Sequence, residues 1–274
     1  MKRRLFQIGS LLISNSYFAV FVNRTIYQGW FKSTCVPFMN CYGCPLALAS
    51  CPIGTLQHFA IVGAFPFLLI GFLGIIGITV GRMTCGWLCP FGFFQEMLHK
   101  IKTPKLHLPK KLNNLKYVIL AVTILIAIFL AEPWFCKLCP IGSLEASIPL
   151  IVWNPSGDFF AGQGGIVTRL SLLFYIKITI LIFLVAIAIF IAQPYCRYLC
   201  PLGATYSIFN RFSLWRMESS SQDCADCGRC LKNLDRRICP TELDVYQTPN
   251  HGDCIRCLNC TSCPNIKFAF SRRK

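Results

Sequence analysis

The chain has 274 residues, of which 54% are apolar and only 14% charged, with a formal charge of +16. Soluble domains carry about a quarter charged residues. The apolar residues fall in blocks as long as a bilayer is thick, which excludes a string of water-soluble domains. The basic residues gather at the ends of those blocks, where they act as orientation signals in a membrane rather than as a nucleic-acid surface.

In chain order, Lys2, Arg3 and Arg4 precede an apolar stretch over 5–22 that is interrupted by Ser14, Asn15 and Ser16. No small-residue cleavage site follows it, so it is expected to be a retained first span rather than a signal peptide. Residues 56–80 form a second run, rich in Gly, Phe and Ile, with a kink expected at Pro66. Residues 115–131 form the third and 172–192 the fourth, in which Lys177 is expected to snorkel to the headgroups. From about Arg211 the apolar runs stop, and Cys, Asp, Asn and Arg take over. The remaining tail is too short for a large core, but bound metal can supply its folding energy. The expected fold is an all-α membrane protein. A four-transmembrane-helix bundle over 1–210, with Cys-Pro motifs at both faces, leads into a two-[4Fe–4S] ferredoxin-like domain over 211–274.

Four spans put both ends of the chain on one side. Arg82, Lys100, Lys102, Lys105, Lys110, Lys111 and Lys116 crowd the second connection, against Arg24 and Lys32 after the first span and Lys137 and Arg169 after the third. The positive-inside rule then places both termini and the tail in the cytoplasm, with the bundle in the cytoplasmic membrane.

The eighteen cysteines do not suit a disulfide scaffold, which is small, secreted and poor in long apolar helices. In the tail, Cys224, Cys227 and Cys230 form C-x-x-C-x-x-C, followed by Cys239-Pro240; Cys254, Cys257 and Cys260 repeat the triad, followed by Cys263-Pro264. In two-cluster ferredoxins each triad holds three corners of a cubane, and the distant cysteine ligates the other cluster. One [4Fe–4S] cluster is therefore assigned to Cys224, Cys227, Cys230 and Cys263, and the other to Cys254, Cys257, Cys260 and Cys239. The gaps before the last cysteine are eight and two residues rather than the usual three. Zinc is the alternative occupant of paired C-x-x-C groups.

The span region repeats itself. Cys51-Pro-Ile-Gly is matched by Cys139-Pro-Ile-Gly, and Cys85-x-x-x-Cys89-Pro by Cys196-x-x-x-Cys200-Pro, which suggests two similar halves about an axis along the membrane normal. The topology gathers Cys85, Cys89, Cys196 and Cys200 on the inner side, as a further cluster or as redox-active thiols. It gathers Cys35, Cys41, Cys44, Cys51, Cys136 and Cys139 on the outer side, as a cluster, as thiols or as disulfides. No C-x-x-C-H occurs, and His58, His99, His107 and His251 form no bis-histidine pair, so haem is not expected. For a quinone site the interfacial groups are Glu96, His99, His58 and Glu132, any of which also suits a solvated helix end.

The groups Cys85–Pro90 and Cys196–Pro201 and the tail cysteines resemble NapH-type proteins and the membrane part of NosR-like proteins, over almost the whole chain. The resemblance implies a quinol dehydrogenase or electron-transfer subunit of the cytoplasmic membrane. Its partners would be lipid, the quinone pool and redox proteins on one or both sides. The outer groups lie outside the NapH pattern and suggest a wire between two faces, which would need an intermediate carrier such as a bound quinone or a partner subunit. Two other functions fit the residues: a transmembrane thiol–disulfide relay, and a redox-sensing assembly or regulatory factor.

Overall fold

The computed structural model describes residues 2–23, 25–106, 108–153 and 172–219, and in the tail 239–241, 243, 245, 248–263 and 265–270. The first helix, α1 (Lys2–Ser14), has 13 residues, about 20 Å at 1.5 Å per residue. It lies along residues 86–96. Buried Gln7 donates to the Gly86 carbonyl at 3.1 Å, Ser10 to the Leu88 carbonyl at 2.5 Å, and Arg3 pairs with Glu96. The second apolar run is two helices, α2 (Pro52–Val62) and α3 (Phe67–Val80). The break falls where Gly63 takes a left-handed φ of 72° as a helix cap and Pro66 precedes the next helix. Glycine adopts that conformation at little cost.

Next come α4 (Met83–Trp87), α5 (Pro90–Leu98), α6 (Leu115–Leu130) and α7 (Trp134–Leu138). After these, α8 begins at Pro140–Gly142, loosens through a π turn at Ser143–Ser147 and continues over Ile148–Trp153. Then α9 (Leu172–Phe190) leads through a second π turn, Tyr195–Leu199, into α10 (Pro201–Phe209). Among the described residues two helices are long and apolar enough to cross a membrane, Lys111–Leu130 and Leu172–Phe190. The sequence reading expects four, but the first two runs yield helices of 13 and 14 residues. Apolar side chains face outward from α3, α6 and α9, with Leu68 89%, Phe129 81% and Phe183 65% exposed. A continuous apolar exterior of this kind calls for lipid or a partner rather than water.

The Cys-Pro dipeptide has one local structure at four of its five bundle positions, the exception being Cys44-Pro45, which enters a turn and starts no helix. Cys51, Cys89, Cys139 and Cys200 are extended N-cap residues, and the following proline starts α2, α5, α8 and α10. Proline suits that position because its fixed φ is helical and its missing N–H would have had no partner there. Each helix thereby aims its positive end at a cysteine.

The tail closes on two antiparallel strands, β1 (Trp215–Ser219) and β2 (Ile266–Phe270), in a register that pairs Met217 with Phe268. Met217, Val245 and Ile266 form its small core, and the Asn250 side chain bonds both the N–H and the carbonyl of Met217 at 3.0 Å. Polar contacts lock the tail to the bundle. The Arg82 guanidinium, fully buried, donates to the carbonyls of Gly252 (3.0 Å) and Cys196 (2.9 Å). Asp253 receives Lys116, and Asn113 at 2.6 Å. Burial alone would raise the Asp253 carboxyl, but Lys116, Arg82 and Asn113 more than offset it and hold it below the usual carboxylate range. Arg256 donates to Val80 (2.9 Å) and Trp215 (2.6 Å) carbonyls, and Asn210 donates to the Cys254 carbonyl at 2.7 Å.

Candidate metal centres

Cys85, Cys89, Cys196 and Cys200 line one cavity, walled by Phe38, Met39, Arg82, Phe91, Ile141 and Tyr195 among others. The two Cys-x-x-x-Cys-Pro groups supply two cysteines each. The second cysteine of each pair caps a helix, and the glycine three residues on offers its N–H back: Gly203 donates to Cys200 Sγ at 3.3 Å. A Cβ on Gly203 would press on the Cys196 carbonyl at 3.2 Å and on the Arg82 guanidinium at 3.1 Å, so a bare glycine is what lets each pair close around the cavity. Gln95 steadies the wall by donating to Cys196 Sγ at 3.2 Å and accepting from the Tyr195 N–H at 3.0 Å.

Of the six outer cysteines, Cys41, Cys51, Cys136 and Cys139 line a second cavity. It measures about 930 Å³, against about 10 Å³ for the inner one. His58, Lys32, Gln28, Tyr42, Trp30 and Phe135 share its wall. Lys32 is buried, donates to the Ala47 carbonyl at 3.0 Å and lies over the Tyr42 ring. Glu145 accepts from the Cys41 N–H at 2.7 Å, and burial pushes its carboxyl up to about 7. The other two cysteines stand aside: Cys44 is buried without lining this cavity, and the Cys35 thiol lies 3.3 Å from the Thr55 hydroxyl.

In the tail, Cys239, Cys254, Cys257 and Cys260 line a third cavity with Met217, Val245 and Arg256. Cys263 is not in that wall and packs instead against the tail core. The other members of its assigned set, Cys224, Cys227 and Cys230, lie outside the described residues.

All fifteen described cysteines are free thiols. Burial pushes the thiols of Cys41, Cys51, Cys257 and Cys260 up to about 12, and those of Cys44 and Cys136 up to about 11. Such groups stay protonated near neutral pH unless a metal displaces the proton. Among the described residues no three His, Cys, Asp or Glu side chains converge as they would on a single ion. Around the inner and outer cavities, four cysteines of which two cap helix N-termini, with one buried cation in the wall, suit an anionic polynuclear cluster better than one zinc ion.

The remaining sequence candidates fall apart from one another. Glu96 bonds Arg3, and Gln193 at 2.6 Å. Glu132 pairs with Lys137 at 2.6 Å on the surface. His251 lies 3.4 Å from Asp253, and His107 is outside the described residues. Among the described residues only His58 lines one of these three cysteine cavities. The sequence reading missed Met39, Tyr195, Arg82, Arg256 and Glu145 as site residues. An arginine or glutamate inside an apolar stretch next to a Cys-Pro group was the available signal.

A family model described as a 4Fe-4S binding domain matches residues 61–113, 114–147 and 173–218. An uncharacterized protein of Methanocaldococcus jannaschii is 29% identical, over 81% of this chain and 86% of its own length. The putative electron transport protein YccM of Escherichia coli is 28% identical, over 76% of this chain and 58% of its own. The ferredoxin-type protein NapH of Haemophilus influenzae is 26% identical, over 99% of this chain and 88% of its own. No solved structure matches the chain.

Proposed function

Because this chain belongs to the NapH/NosR-like family of ferredoxin-type electron transport proteins, we propose that it is a membrane-bound electron carrier that exchanges electrons between the quinone pool and a redox partner. The observation that carries this reading is the gathering of Cys85, Cys89, Cys196 and Cys200, from two sequence-distant motifs, around one buried cavity. In this reading the inner quartet, the outer quartet of Cys41, Cys51, Cys136 and Cys139, and the tail quartet of Cys239, Cys254, Cys257 and Cys260 each hold a [4Fe–4S] cluster. Cys224, Cys227, Cys230 and Cys263 hold a fourth. Such a cluster, when bound, takes up and gives back one electron at a time. The residues around it bind it, exclude water and fix its charge environment. Phe91, Ile141 and Leu202 keep the inner site dry, while Gly203 and Gln95 orient its ligands.

The outer cavity supports the quinone half of the reading. Its volume, about 930 Å³, falls within the few hundred to one thousand Å³ of small-molecule sites. His58 in its wall is a group able to accept a quinol proton. The basic residues between α3 and α6 orient the tail toward the cytoplasm, with the bundle in the cytoplasmic membrane. α1 and α3 accompany the two long helices as the other members of a four-helix bundle, and residues 211–274 form the ferredoxin-like domain. A thiol–disulfide relay is less well supported, because exchange needs accessible thiolates, whereas Cys51 and Cys257 are buried and burial pushes their thiols up to about 12.

Anaerobically purified protein is expected to contain about eight or more irons with matching acid-labile sulfide, as two cubane clusters require. Its visible absorbance is expected to bleach on adding a short-chain quinol. Zinc in place of iron, or iron that no quinol reduces, would reject this function.

A further inference from the structure

The three described cysteine cavities stand in series, and the walls between them are thin. Met39 and Ile141 line the outer and the inner cavity at once. Cys51 Sγ is 3.7 Å from Met39 Sδ, and Met39 lines the inner cavity together with Cys89. Cys139 Sγ is 4.0 Å from the hydroxyl of Tyr195, which adjoins Cys196 and lines the inner cavity. Beyond the inner site, Gly86 lies between Cys85 and Cys89, and a Cβ there would stand 2.3 Å from the carbonyl oxygen of Ile255. Ile255 in turn lies between Cys254 and Cys257. Beside this contact Trp87 Nε1 donates to the Arg256 carbonyl at 3.0 Å. Two ligand loops of different domains thus touch backbone to backbone.

Hydropathy alone puts the inner and outer cysteines at opposite ends of the spans, with a gap to be filled by a separate carrier. In the folded chain, Ile141 of α8, Phe91 of α5 and Leu202 of α10 share one core cluster with Cys51, Cys89, Cys139, Cys196 and Cys200. The helices that follow the Cys-Pro groups fold back into the bundle and bring Cys51 and Cys139 of the outer quartet into the same core as Cys89, Cys196 and Cys200. We propose that the chain conducts electrons through its own interior, from the outer cavity through the Met39–Ile141–Tyr195 wall and the Gly86–Ile255 contact into the tail, with no mobile carrier between the sites. This rests on the reading of the quartets as cluster sites. Tunnelling weakens steeply with distance, so contact between successive ligand shells is the feature that matters.

The test uses the full-length protein in liposomes prepared without quinone, with ferricyanide trapped inside, dithionite outside, and potassium with valinomycin. Each electron released by the donor outside converts one ferricyanide to ferrocyanide inside, and one potassium ion follows to balance the charge. Ferrocyanide is expected to form at least tenfold faster than in protein-free liposomes, with no quinone added. Gly86→Val, which wedges the tail from the inner site, is expected to cut that rate at least tenfold while iron content stays unchanged. Half-reduced wild-type protein is expected to show paramagnetic signals broadened by mutual interaction, a readout that needs no variant. Fully iron-loaded protein that conducts only after a quinone is added, or whose signals are sharp and independent, would overturn the internal path while leaving the quinone reading intact. Iron below about twelve atoms per chain, the content of three cubane clusters, would instead overturn the reading of the three quartets as cluster sites, and the path with it.

Discussion

Each described cysteine cavity has one deeply buried cation in its wall: Lys32 in the outer, Arg82 in the inner and Arg256 in the tail. Burying a cation costs several kcal/mol unless an anion or a set of acceptors compensates it. Arg82 has Asp253 at 3.7 Å. The Arg256 hydrogen bonds go to neutral oxygens, those of Val80, Trp215, Asn210 and Ser213. In the proposed reading, four thiolates around a cluster would supply the missing negative charge. Removing the cation therefore penalises the more negative, reduced state. At roughly 8 Å and an effective dielectric of about 20, one charge is worth about 2 kcal/mol, or about 90 mV for one electron. Arg256→Met is expected to lower one midpoint potential by about that amount in a titration followed by paramagnetic resonance, and to leave the others in place. An unmoved set of potentials would show that the guanidinium serves only to dock the tail.

At the scale of elements, the Cys-Pro groups were the most legible part of the sequence. Proline fixes a helix start after the cysteine, and the glycine two residues beyond that proline is forced by crowding, as at Gly203. The strongly apolar stretches at 115–131 and 172–192 were equally plain, since they are helical over Leu115–Leu130 and Leu172–Phe190. The run at 56–80 was legible in part, since the kink expected at Pro66 is there but is a full break between two helices. Its hydropathy is continuous, whereas the backbone is broken between Gly63 and Pro66, and an apolar average does not register a change of direction. α1 misled for a related reason: Gln7 and Ser10, which interrupt its apolar pattern, are the residues that bind it to residues 86–88. The membrane role of α9 is testable on its own. Phe183 is 65% exposed within an apolar helix of 19 residues, so Phe183→Arg places a guanidinium where lipid is expected, at about 2.5–3.5 kcal/mol on the insertion scale. Recovery of the variant in the membrane fraction is expected to fall sharply. A soluble or merely peripheral helix would tolerate the change.

For the whole molecule, the composition of the groups was readable but their spacing in space was not. Sequence motifs name ligands, and the split of the outer six into four cavity residues and two bystanders depends on how α2, α7 and α8 meet. The tail shows the same division of labour. Cys239, separated from the first triad by eight residues, lines the cavity of the second triad, an arrangement that the two-cluster pattern suggests but loop lengths alone do not fix. The order tail, inner, outer follows from docking by Arg82, Asp253 and Arg256, contacts that span more than 100 positions of sequence and leave no local signature. If all four cysteine sets are filled, the chain binds about sixteen irons. Because the sets draw on separate motifs, they should empty one at a time. Cys85→Ser with Cys200→Ser is expected to remove about four irons and the matching sulfide, with the tail signals retained, since the tail core of Met217, Val245 and Ile266 does not depend on those thiols. Unchanged iron would mean that the inner quartet is thiol chemistry. Loss of every iron would mean that the inner site is the keystone on which the tail assembles, through Arg82, which bonds the carbonyls of both Gly252 and Cys196.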